Sequence, residues 1–195
     1  MRMSREAMAR HHDEIVAAAA RMLRERGIEG TSVADLMQAA GLTHGGFYRH
    51  FETKEALVAE ASEVAFDGML ASIDANFGKL GPADGLKRYI SRYLSSVHVR
   101  EPGAGCPVAG FGADAARAGP AVRKTFADRI RKLIDKLATA LHGSAAERQA
   151  KAATTCAMLV GAVVIARAVG DSKLAGEVLA ACREALEPAT AKGKA

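Results

Sequence analysis

The sequence has no tryptophan, and its three tyrosines and six phenylalanines hold aromatics to 5% of 195 residues. Sandwiches and barrels draw on aromatic and β-branched side chains, so both are disfavoured. Alanine, the strongest helix former, is abundant instead. Cysteine is scarce: Cys106, Cys156 and Cys182 are odd in number and far apart. That excludes a disulfide framework and offers no paired-cysteine zinc spacing. Met1 to His12 is polar and charged, unlike a secretory leader. The longest unbroken apolar run, Cys156 to Ala166, falls short of the ~20 residues a bilayer requires. A soluble, cytoplasmic protein with no membrane partner is expected.

Enzyme signatures are also missing. There is no Gly-x-Ser-x-Gly elbow, P-loop, dinucleotide fingerprint or His-Glu-x-x-His. Gly103-Ala104-Gly105 lacks a third glycine three residues on and no strand precedes it. Cys106 and His98 suggest a thiol nucleophile with a base, but the sequence places no third group to orient them. The expectation is no catalytic residue, no metal and no cofactor. Charge is nearly balanced, with 27 Lys and Arg against 22 Asp and Glu, net +5 and pI near 9.3. Such a surplus is compatible with a polyanionic partner and too small to identify one. Residues 1–54 hold eight basic and seven acidic side chains.

What is present is helical punctuation. Ile15, Ala18, Ala19, Met22 and Leu23 recur on one helical face, with Arg21, Arg24 and Glu25 off it. Gly27 ends that helix as a left-handed residue, and Ile28 can fold back onto it. Thr31 or Ser32 starts a second helix, with Ser32 to Asp35 fitting a capping box. Val33, Leu36, Met37 and Ala40 form its buried face, and Gly41 stops it. Thr43 caps a third short helix through Tyr48 and Phe51. Thr53 caps a fourth, with Leu57, Ala61, Val64 and Gly68 on one stripe. Two short helices joined by a glycine-containing turn make a helix-turn-helix. The braced second member of such a pair can enter a major groove with its N-terminal residues at base edges.

The stretches Gly27-Ile28-Glu29-Gly30-Thr31-Ser32-Val33-Ala34-Asp35-Leu36 and Ala40-Gly41-Leu42-Thr43-His44-Gly45-Gly46-Phe47-Tyr48-Arg49-His50-Phe51, followed by Thr53-Lys54-Glu55-Ala56-Leu57, resemble the DNA-binding domain of TetR-family regulators. The resemblance covers about the first third of the chain. It implies an all-α protein: an N-terminal three-helix helix-turn-helix DNA-binding domain plus a C-terminal helical ligand-binding and dimerisation domain. The expected bounds are 8–68 for the first, with the helix-turn-helix at about 31–50, then 69–188, and a flexible tail at 189–195.

The resemblance also implies site roles. Ser32 stands at a phosphate contact. Thr43, His44, Gly45 and Gly46 form the base-facing start of the recognition helix. Tyr48 and His50 match groups that touch thymine methyls and phosphates, and Lys54 matches a phosphate contact at a helix N-terminus. The glycine pair departs from the Ser or Pro with Thr or Ala common there. Ala34 stands where some relatives carry a base-reading side chain. On periodicity alone, Phe47 and Phe51 are core residues, His11 and His12 are solvent-exposed, and His50 is either a phosphate contact or a solvated helix-end histidine.

Beyond residue 78 the pattern stays helical. A helix is predicted from Ala83 to His98, then a Gly/Pro-rich link, a helix from Pro107 to Ala118, and another begun by Pro120. The last carries a stripe of Val122, Phe126, Ile130, Leu133, Leu137 and Leu141. Its basic face, Arg123 to Lys136, reads as a solvated surface rather than a second nucleic-acid site. The final helices, 144–170 and 172–186, include one that is apolar all round from Ala152 to Ala168, which requires burial on more than one side. A homodimer interface through these two helices supplies it, with paired heads on a palindromic duplex. Cys106, before Pro107, stands at a helix start. The Gly-Cys preceding that helix is similar to a TetR subgroup in which some members respond to electrophiles. Two readings stand for Cys106: a reactive thiol activated by the helix N-terminus, or a small buried residue lining a pocket. Cys156 and Cys182 read as packing.

The expected function is a repressor released by an unidentified small molecule or by thiol modification. The alternative is a helical interaction module with a degenerate helix-turn-helix that does not bind DNA.

Overall fold

A computed structural model describes residues 5–190. Over these residues the chain forms nine α-helices and two 3-10 turns, without a strand. They are α1 (Arg5–Arg26), α2 (Val33–Ala39), a 3-10 helix (His44–Arg49), α3 (Lys54–Leu80), α4 (Pro82–Tyr93), α5 (Ser96–Arg100), a 3-10 turn (Pro102–Ala104), α6 (Pro107–Ala115), α7 (Pro120–Ala138), α8 (Ala145–Ala168) and α9 (Ser172–Thr190).

Local chemistry sets most of these ends. Ser32 closes a full capping box with Asp35, and Ser144 does the same with Glu147. The Thr53 hydroxyl accepts the Ala56 N–H at 3.0 Å. Gly27 and Gly41 adopt φ of +75° and +71°, the left-handed region that side-chain-bearing residues avoid. Pro120 opens α7 where its missing N–H costs nothing.

Two apolar clusters divide the interior. The first packs Ile15, Leu23, Leu36, Met37, Phe47 and Leu57 against Phe111, Val122 and Phe126. The second gathers Ile73, Leu86, Tyr93, Leu137, Leu159 and Val163. α3 runs unbroken through position 68 and serves both. The expected boundary between 68 and 69 therefore lies inside a helix rather than in a linker. α6 and α7 also lend side chains to the first cluster, so the N-terminal head shares its core with the body.

Several expectations change. Val64 is 44% exposed; the buried face of α3 runs through Leu57, Val58, Ala61, Ala65 and Phe66. The helix predicted over 83–98 is two helices. Leu94 leaves helical geometry at ψ 41°, and Ser95 restarts the chain by accepting the His98 N–H at 3.2 Å. α6 ends at Ala115, earlier than Ala118, and Phe111 breaks its geometry at φ −144°. α7 ends at Ala138, yet Leu141 is buried as the stripe required.

α9 continues to Thr190, past Leu186 and into the stretch expected as tail. Residues 191–195 of that expected tail lie outside the described residues. α8 is long and apolar enough to cross a bilayer by length and composition, unlike the short run read from 156–166. Flanking alanines and threonines extend its apolar character, and it packs against α7 and α9.

The basic face of α7 is partly tied down. Arg129 pairs with Glu63 and Asp67 of α3, and Lys136 with Asp74 at 2.6 Å. Lys124 and Arg131 share Asp128.

Candidate functional site

The head presents a short surface built on α2. Leu42 N donates to Met37 O at 2.8 Å, closing the turn after Gly41 and launching the 3-10 helix. Thr43 has extended backbone, φ −85° and ψ 147°, and its side chain makes no cap bond, contrary to its expected capping role. The element that follows is 3-10 rather than α. Two glycines at its start explain this, since each costs α-helix about 1 kcal/mol relative to alanine.

Phe47 is buried and anchors the turn, while Tyr48 stands 73% exposed with its ring edge-on to Phe47 at 5.2 Å. Thr43, His44 and Gly45 are exposed beside it. A Cβ on Gly45 would meet nothing within 4 Å; one on Gly46 would touch Met37 Cε at 3.4 Å. Gly45 thus bares its backbone outward, whereas Gly46 fits against the core.

The remaining expected contacts are partly engaged within the head. The Ser32 hydroxyl donates to Asp35 Oδ2 at 2.6 Å, and its N–H donates to the same oxygen at 3.0 Å. These bonds hold the Asp35 carboxyl below its ordinary range. Lys54 Nζ donates to Ile28 O at 2.7 Å, so the α3 start is clamped to the α1–α2 turn. His50 is half-buried; burial, then the nearby His12, His11 and Arg49, push its pKa down, which favours the neutral ring. Phe51 is buried as expected. His12 is half-buried rather than solvated: it stacks on Phe51 at 4.6 Å and reaches Glu60 at 2.7 Å. His11 is half-buried as well.

Sequence reasoning missed the seam between head and body. Asp114 of α6 accepts the Ile28 N–H at 2.9 Å, 86 residues away. Ile28 is therefore held at its N–H by α6 and at its carbonyl by α3. No local pattern marks such a pair.

A cavity of about 760 Å³ lies behind this seam. Its walls include Arg24 of α1, Met69 and Ser72 of α3, Tyr93 of α4, His98 of α5, and Cys106. Cys106 N-caps α6, but its thiol makes no cap bond and is 3% exposed. Burial pushes its pKa up despite contacts with Tyr93 and the backbone that pull the other way. This opposes the activation expected of a thiol at a helix start.

The His98 ring is spent on the backbone. Nε2 accepts the Cys106 N–H at 3.0 Å, so Nδ1 carries the proton and donates to Tyr93 O at 2.7 Å. It therefore forms no dyad with the thiol. Burial and the neighbouring Arg167 hold its pKa down. Cys156 is buried and pushed up to about 11. Among the described residues, no three His, Cys, Asp or Glu side chains gather to hold a metal ion.

Residues 15–61 match the bacterial regulatory proteins of the tetR family. An uncharacterized HTH-type transcriptional regulator of Mycobacterium tuberculosis is 31% identical over 104 residues, which cover 53% of this chain and 52% of that protein. The HTH-type transcriptional repressor KstR2 of Mycolicibacterium smegmatis is 40% identical over 52 residues, 27% of this chain and 25% of that one. The chain thus spans about half the length of the first relative and a quarter of the second. A TetR-family transcriptional regulator from Cytophaga hutchinsonii superposes with a TM-score of 0.78 over 98% of this chain and 100% of its own, at 23% identity, a likeness of fold. The segment 15–61, most of the head, thus matches the tetR family of bacterial regulatory proteins, and the fold likeness continues through the body.

Proposed function

We propose that the protein is a ligand-responsive, sequence-specific DNA-binding repressor that works as a two-fold dimer. The observation that carries this reading is the outward face of the 3-10 helix: an aromatic ring 73% exposed beside a glycine backbone with open space before it. An exposed tyrosine on a braced turn suits apolar contact with thymine methyls, and bare backbone permits close approach to a groove. Thr43 and His44 complete the base-facing set. Ser32, His50 and Lys54 are proposed to position the head on phosphates. For Lys54 that role requires its ammonium to keep Ile28 O while offering a remaining donor outward.

The dimer reading rests on α8 and α9. Ala157, Gly161, Val164 and Ala168 recur at helical spacing and are not buried, and Leu174 of α9 is exposed beside them in sequence order. Pairing these faces would set two heads for a palindromic site.

Release is proposed to follow occupation of the cavity by a small molecule. The route is short: the cavity wall ends at Cys106, α6 begins there, and α6 ends near Asp114, which holds the α1–α2 turn. Ligand and operator affinities must then be reciprocally coupled. The raised pKa of Cys106 favours a wall role over a thiol switch, and a Cys106→Ser variant that still releases DNA on electrophile treatment would exclude the switch.

The test is binding to duplex from the region beside the protein's own gene, at two salt concentrations, against random competitor. Competitor-resistant binding with a protected palindrome supports the regulator. If a genome-wide selection of bound fragments also yields no preferred sequence, the chain is an interaction module with a degenerate helix-turn-helix.

A further inference from the structure

Two half-buried arginines flank the cavity, and they are treated differently. Each of the three side-chain nitrogens of Arg167 of α8 has a carbonyl partner: they donate to Val99 O at 3.2 Å, Ala109 O at 3.3 Å and His98 O at 2.8 Å. Arg24 of α1 lines the cavity, and its Nε is buried with no hydrogen-bond partner. Its sequence neighbour Glu25 is taken by Arg21 at 2.8 Å. No described carboxylate forms an ion pair with Arg24.

Burial lowers the Arg24 pKa, the signature of a charge held where water is scarce. A guanidinium Nε buried with its bond unmade is costly, and an anion supplied from outside repairs it. Arg92 and the lining's one acid, Glu101, are both exposed, where water screens them, so the cation that faces the cavity from a half-buried position is Arg24. Met69, Val97 and Ala65 give the remainder an apolar character suited to a hydrocarbon body.

We infer that the cavity takes a small organic acid, with its carboxylate on Arg24 and its apolar part against α3 and α5. This deepens the proposed regulation and rests on it for the consequence for DNA. Arg24 sits three residues before Gly27, on the helix that carries the head. Gly110 of α6 lies so close to Arg24 that a Cβ there would stand 2.9 Å from the Arg24 Cα. A ligand that pulls on Arg24 therefore acts on α1 directly, at a point where α6 is packed closely against it.

The test uses matched acids and primary amides of equal shape: benzoate and benzamide, 4-phenylbutanoate and 4-phenylbutanamide, octanoate and octanamide. Calorimetry on the full chain, without DNA, is expected to show at least one acid binding about tenfold or more tightly than its amide, as a charge-assisted bond predicts. Arg24→Gln should erase that preference. Arg24→Lys, which keeps the charge and loses the planar fork, should retain part of it. Arg92→Gln should reduce it by less than Arg24→Gln. Thermal melting of each variant confirms folding.

The inference is overturned if no acid binds at millimolar concentration, if amides match acids throughout, or if Arg24→Gln leaves the preference intact in a folded protein. Operator binding is measured in parallel. Acid binding lost in Arg24→Gln with operator affinity insensitive to acid would uphold the site and overturn the regulatory reading. Operator binding without any acid binding would do the reverse.

Discussion

The head and the body of this molecule differ in how completely they satisfy themselves. In the head, large side chains such as Phe47, Leu36 and Met37 are almost fully buried, and the turns are capped by Ser32, Thr53 and glycines of positive φ. In the body, the hydroxyls of Tyr89 and Tyr93 and the Nε of Arg183 are buried without a hydrogen-bond partner, and Arg24 at the seam shares that condition. A cavity lies among some of these groups. Close-packed interiors resist deformation, whereas unmet polar groups leave room for an incoming molecule to change the balance. Under the proposed function, the contrast gives rigidity to the part that would match a fixed groove and adaptability to the part that would respond.

The sharpest way to break this comparison is to damage the head. Phe47→Ala should cost about 3–5 kcal/mol in denaturant unfolding, because it empties a fully packed site. Duplex binding should vanish with it. A loss below 1 kcal/mol would mean that the head is looser than described. Next is the seam. Asp114→Ala removes the acceptor of the Ile28 N–H and should cost about 1–2 kcal/mol. It should also weaken the dependence of operator affinity on ligand, and unaltered coupling would redirect the link to another contact.

Head and body should each respond to acid through one histidine, His50 and His98. The His98 pKa is depressed in the folded chain below its ordinary 6.5. The unfolded chain therefore binds the proton first, so this group's stability is complete above about pH 6.5 and declines as pH falls toward the lowered value. Melting temperature measured across that window should drop less in His98→Gln than in the parent. His50 in the head is depressed for its own reasons, so the comparison of the two variants isolates the His98 share.

The smallest expected effect on stability is at the outward face. Tyr48→Ala and Gly45→Ala should each shift unfolding by less than about 0.5 kcal/mol, since neither position is packed. Both should nevertheless weaken specific duplex binding, and full binding by Gly45→Ala would show that the bare backbone is not needed.

The legible part of this structure is the local part. Caps and stops announce themselves within four residues, so Ser32, Thr53, Pro120 and Gly27 were readable, as was the all-helical class. The 3-10 geometry at His44–Arg49 was half-signalled by the two glycines. The break at Leu94 was hidden because an apolar stripe runs across it and only Ser95 hints at a restart. The long-range pairs were invisible: Asp114 with Ile28 across the seam, and Lys54 with Ile28 O and His12 with Glu60 inside the head, are set by tertiary approach, with no spacing rule to reveal them. Arg24 illustrates the same limit. Helical phase places it off the apolar face, but nothing in its neighbours says that it meets a cavity instead of solvent.

α3 carries one further implication. Twenty-seven residues at 1.5 Å each make a rod of about 40 Å, anchored in both apolar clusters. A tilt of about 5° pivoted at one end sweeps the other through roughly 3 Å. In the proposed dimer, on a duplex whose successive major-groove faces recur every ~34 Å, two such sweeps in two-fold-related copies would move the heads out of step by a good part of a base-pair spacing or more. Small angular changes deep in the body thus arrive at the surface multiplied by length.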